Sequence, residues 1–172
     1  MKNLHSRDGL RGLALALGLA LMLAPSFAPT LAQAAGDSDD GAEENSSAAA
    51  TQYRTAKRAI EQKRYAVAIP ILEKVIAAEP RNAGAYNYLA YAHRNLGRLD
   101  VAYTLYQKAL ELDPRHRGAH EYLGELYLQR GDLARAEEML KKLDGLCLFG
   151  CEEYTDLKKA IARYKAAKGG KS

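Results

Sequence analysis

Two cysteines stand four residues apart near the end of the chain, Cys147 and Cys151 in the run LCLFGC. A pair at that spacing can close a disulfide, or it can hold a soft ion such as Cu(I) between two thiolates. An even count reads first as a disulfide in a chain that leaves the reducing cytoplasm, and the N-terminus described below predicts export. Gly145 and Gly150 let the backbone bend enough to join the sulfurs. The alternative is redox or copper work by the same two residues. Against it, no His or Met flanks the pair, and Glu152 and Glu153 oppose a thiolate at Cys151. A c-type haem is excluded, because Glu152 stands where that attachment requires His. His116 and His120 are four apart, but His116 falls in a turn, so no metal pair is expected. No Ser/His/Asp order, paired carboxylate or Gly-rich phosphate loop is visible. The chain is expected to be no enzyme and to carry no metal or cofactor.

The elements that position these residues follow from composition and pattern. The chain has 172 residues with 25 Lys plus Arg, 21 Asp plus Glu, no Trp, two Phe and 11 Tyr. That length suits one ordinary domain, and the composition argues against a β-sandwich. Residues 1–34 join a basic start (Lys2, Arg7, Arg11), an apolar run ending at Ala24 and the site Ala32-Gln33-Ala34. This is the pattern of a secretory signal peptide cleaved after Ala34. The run is too short for a membrane span, which needs roughly 20 residues, so no stable span is expected after cleavage. The alternative is an uncleaved leader that anchors the chain. Residues 35–50 hold five acids and no base, which predicts a disordered acidic linker. The overall charge of +4 therefore conceals a folded part, 51–172, at +7.

That part repeats with a period of 34. Glu79-Pro80-Arg81 returns as Asp113-Pro114-Arg115, and Ala68 returns as Ala102 and Ala136. Leu72, Tyr106 and Leu140 share a column, as do Val75, Ala109 and Leu143. Gly97 pairs with Gly131. Each unit holds two apolar-periodic stretches of about 13 residues joined by a short turn, which predicts a helix–turn–helix. The alanine column marks a close approach of two helices, and the proline ends each unit.

The pattern resembles the tetratricopeptide repeat family. Residues 83–116 carry Tyr86, Leu89, Ala90, Gly97, Leu99, Ala102, Tyr106, Ala109 and Pro114 at the signature positions. The third unit, 117–150, matches at His120, Leu123, Gly124, Tyr127, Gly131, Leu133, Ala136 and Leu140, with Leu148 where the proline would be. The first, 49–82, matches in its second helix. The resemblance implies an all-α solenoid of three units over 51–168. A stripe at Tyr154, Leu157, Ala160, Ile161 and Tyr164 predicts a capping helix over about 152–168, followed by a tail at 169–172. In this family the fifth, ninth and twelfth residues of each first helix line the inner face. Here they are Tyr53, Lys57 and Ile60; Asn87, Tyr91 and Arg94; and Glu121, Glu125 and Leu128. His93 and His120 fall in packing columns. The basic residues and paired asparagines of the family's carboxylate clamp are not in place. The resemblance implies a protein–protein interaction module that binds a partner's peptide or helix in this groove, and the leader predicts that it works in the cell envelope, exported to the periplasm of a Gram-negative bacterium. The alternative within the groove is a solvated face with ion pairs from Arg94 to Glu121 or Glu125. Lys and Arg are interspersed with Glu along the helices, so no nucleic acid is expected as a partner.

Overall fold

The computed structural model describes residues 40–169. Among them are seven helices and no strand: α1 (Asp40–Glu61), α2 (Tyr65–Ala78), α3 (Ala83–Asn95), α4 (Leu99–Leu112), α5 (Arg117–Gln129), α6 (Leu133–Leu146) and α7 (Glu152–Gly169). The expected leader, residues 35–39 and the last three residues lie outside the described part. Helices α1 and α2, α3 and α4, and α5 and α6 form three hairpins. Each hairpin packs on the next, and α7 packs on both α5 and α6. This is the expected all-α solenoid with its capping helix.

Two columns of small residues set the helix spacing. Ala68, Ala102 and Ala136, on the second helix of each hairpin, are fully buried. Ala56, Ala90 and Gly124 form a matching column on the first helices and are buried too. Gly124 goes furthest, because a Cβ there would sit 2.6 Å from Leu157 Cδ2. The missing methyl is what lets α7 insert Leu157 into a core shared with Leu126, Leu143 and Tyr106. Side chains cap three starts: Asn82, His116 and Asp132 accept from the backbone N–H of Ala85, Ala119 and Arg135. Gly97 and Gly131 close the first helices at φ 77° and 82°. Lys63 holds the same place in the first hairpin at φ 57°, a conformation that strains a residue with a Cβ.

The structure departs from the sequence expectation in two places. Residues 40–50 were expected within a disordered linker over 35–50, but they are the first half of α1. Ala48–Ala50 are strong helix formers, and Ala49 is buried, so the helix runs on through them. Gly145, expected in the bend that joins the sulfurs, instead lies within the sixth helix, which runs to Leu146 with Cys147 as its cap. There Cys147 and Cys151 are joined, S–S 2.08 Å. The bridge holds a short loop whose Leu148 and Phe149 stand fully out in solvent.

The bridge ties α6 to α7, so it matters most to the seating of the cap. Replacing both cysteines by serine should lower stability by about 2 kcal/mol, a fall in Tm of roughly 5–10 °C, and should expose α7 to limited proteolysis first. An unchanged Tm and an unchanged cleavage pattern would show that the bridge does not hold the cap.

Candidate functional site

The first helix of each hairpin and α7 share one face, and that face holds two adjoining cavities. The first, about 290 Å³, is walled by Tyr53 of α1, Asn87 and Tyr88 of α3, Glu121 and Tyr122 of α5, and Asp156 of α7, with Glu152, Glu153, His116 and Gly118 at its edge. The second, about 450 Å³, is lined by Lys57, Ile60, Lys63 and Tyr65 with Tyr91, and it shares Tyr88, Tyr122 and Glu152 with the first. Tyrosines form a row across both. Tyr53 and Tyr88 lie 5.8 Å apart, Tyr65 and Tyr91 6.0 Å, and Tyr91 and Tyr122 4.7 Å between ring centres. Burial raises the hydroxyl pKa of Tyr53 to about 12 and pushes those of Tyr91 and Tyr122 up as well, so all three stay neutral hydrogen-bonding groups.

The groove residues expected from sequence divide into three groups. Tyr53, Asn87 and Glu121 meet in the first cavity, and Lys57, Ile60 and Tyr91 meet in the second. Arg94 and Glu125 line neither: they bond to each other at 2.6 Å. Leu128 is buried in the core. Arg94 is only 7% exposed. Its guanidinium lies 5.2 Å from the Tyr91 ring centre and 5.8 Å from that of Tyr122. It is a buried tie between α3 and α5, not a side chain offered to a ligand. The solvated-face alternative is therefore correct about this ion pair, with Glu125 as the partner.

Sequence reasoning missed Tyr88, Tyr122 and the α7 acids. Tyr88 and Tyr122 stand 34 apart, and that column was the available signal. The acids at the start of α7 suit the helix dipole, which hides their second position on the cavity wall. Among the described residues, the three histidines pack or cap helices. His93 is buried, and burial with nearby Arg98 lowers its pKa. His120 Nε2 lies 3.0 Å from the Pro114 carbonyl oxygen. His116 caps α5, with its pKa lowered by burial. Among the described residues, no three His, Cys, Asp or Glu side chains converge as metal ligands. Cys147 and Cys151 line neither cavity.

Glu121 is the most perturbed carboxyl of the face. Burial raises its pKa to about 8, with further upward pushes from Glu125, Asp156 and Glu153 and an opposing pull from Arg94. The folded chain thus holds a proton that the unfolded chain releases at the ordinary value of 4.5. Stability contributed by this group is present below about pH 4.5 and is lost as pH rises to about 8. Glu121→Gln should therefore gain in Tm over the natural chain between pH 5 and pH 9, with little difference at pH 5. Parallel Tm curves for the two proteins would show an ordinary carboxyl.

Comparison with known proteins agrees with this architecture. The tetratricopeptide repeat pattern matches residues 53–114 and again 96–145. MamA 41-end from Desulfovibrio magneticus RS-1 is 34% identical with a TM-score of 0.52, covering 55% of this chain and 54% of that one. The chain thus spans about half the length of that protein. The first repeat domain of RPAP3 (Spaghetti), bound to the HSP90 peptide SRMEEVD, is 22% identical with a TM-score of 0.60, covering 70% of this chain and 94% of that one. The Yersinia enterocolitica type III secretion chaperone SycD, in complex with a peptide of the translocator YopD, is 20% identical with a TM-score of 0.58, covering 78% of this chain and 98% of that one. A comparison with curated proteins finds no match. With the two pattern matches together running from residue 53 to 145 over three stacked hairpins, the chain belongs to the tetratricopeptide repeat family and is a protein-interaction module.

Proposed function

We propose that the chain is a non-enzymatic adaptor or assembly factor that binds an extended segment of a partner protein along the face of α1, α3, α5 and α7. The observation that carries this reading is the pair of adjoining cavities divided by Tyr88 and Tyr122. Neutral tyrosines supply flat apolar area and a hydroxyl at low entropic cost, and two neighbouring cavities suit side chains projecting from one backbone. The peptides held by RPAP3 and SycD on the same fold support it. Selecting displayed peptides on the immobilised full chain tests it. Enriched peptides should lose at least tenfold in affinity for Lys57→Glu/Tyr88→Ala, with the helix content by circular dichroism unchanged. Peptides that bind the variant as well as they bind the natural chain would overturn the groove reading.

The place of action is part of the same proposal. A leader over 1–34 and a bonded cysteine pair both suit the periplasm of a Gram-negative bacterium. Among the described residues, no helix is long and apolar enough to cross a membrane. The protein recovered from the periplasmic fraction should begin at Ala35 by mass spectrometry. An intact Met1 with all protein in the cytoplasm would refute export, and an intact Met1 in the membrane fraction would favour the anchored form. Cys147 and Cys151 are bonded to each other and line neither groove cavity, and the groove reading does not draw on their redox or copper use.

A further inference from the structure

The first cavity sets two carboxyls beside a buried acceptor that has no donor among the described residues. The Asn87 side chain is 3% exposed, and its Oδ1 has no donor among the described residues. Glu121 is 8% exposed and lines the cavity. No cation is paired with it among the described residues, since the nearby Arg94 is bonded to Glu125. Asp156 of α7 completes the wall, and Glu153 beside it is bonded to Arg117 at 3.5 Å. The lysines of the groove, Lys57 and Lys63, line the other cavity. A buried acceptor left without a donor is expensive, and a cavity of about 290 Å³ falls near the small end of ligand sites. The remaining walls are the rings of Tyr53, Tyr88 and Tyr122.

One side-chain chemistry satisfies all of this. A guanidinium carries five donors and no acceptor, pairs with carboxylates in a planar fork and stacks on aromatic faces. We propose that this cavity is the subsite for an arginine side chain of the partner segment, received by Asn87, Glu121 and Asp156 between the tyrosine rings. The proposal rests on the groove reading and adds the chemistry of the partner. It is also the reverse of a carboxylate clamp, because the protein supplies the carboxyls and the guest supplies the cation, with Glu121 releasing its proton as the guanidinium enters.

The test uses peptides selected on the full chain as above. Arginine should be enriched at one position. Changing that arginine to citrulline, which keeps the shape and removes the charge, should weaken binding at least tenfold. Glu121→Gln/Asp156→Asn should cost the arginine peptide at least tenfold and the citrulline peptide less than twofold, a difference that general loosening of the fold would not produce. Groove-dependent peptides with no arginine preference, a citrulline change under twofold, or equal losses for both peptides would each overturn the subsite while leaving the groove reading intact. Peptides indifferent to Lys57→Glu/Tyr88→Ala would remove both.

Discussion

The close approach of helices at the two small-residue columns is the constraint on which the rest of the structure depends. Ala68, Ala102 and Ala136 let each second helix lie against its partner, and Ala56, Ala90 and Gly124 do the same on the other side. Larger side chains there would hold the axes apart and take the neighbouring columns out of contact. Because the spacing repeats every 34 residues, the first helices lie side by side, and their outward faces become one surface. Tyr53, Tyr88 and Tyr122 meet across three helices only because these helices are held close.

The buried ion pair refines that surface. Arg94 spans from α3 to α5, sits against two tyrosine rings and takes Glu125 as its partner. Removing charges from water is costly, and the bond and the rings offset much of it. The pairing has a consequence one turn away. Glu125 uses the available cation, so Glu121 on the same helix must stay neutral near its neighbours or wait for a cation from outside. Burial is the first cause of the raised pKa of Glu121, and Glu125, Asp156 and Glu153 add to it, while Asn87 Oδ1 nearby has no donor among the described residues.

What the sequence revealed follows the same logic. The hairpins, the alanine column and the capping helix were legible because packing acts on residue size at fixed spacing. Residues 40–50 were not, since their acids and small residues read as an unstructured segment, while the helix they form depends on the burial of Ala49. Arg94 carried a charge and a groove position, so its burial was invisible until the partner on the adjoining helix was known. Tyr53, Lys57, Asn87, Tyr91 and Glu121 were placed on the groove by the family resemblance, and the structure puts them around its cavities. Tyr88 and Tyr122 lay in plain sight as a 34-residue column, one position beyond the residues the family pattern selects.

The capping helix turns the end of the solenoid into part of the site. A last hairpin exposes the apolar side meant for a neighbour, and a cap must cover it. Here α7 covers it with Leu157 and Ile161, seated through the gap at Gly124. The same docking lays Glu152, Glu153 and Asp156 along the first cavity, where acids at a helix start are already favourable. The loop that sets this placement is the one in which the closing proline is replaced by Leu148 and the bond from Cys147 to Cys151 constrains the turn. The cysteines therefore bear on the groove without lining it. Their bond closes the turn that leads into the helix bringing three carboxyls to the cavity, so a covalent link outside the site adjoins the element that completes it.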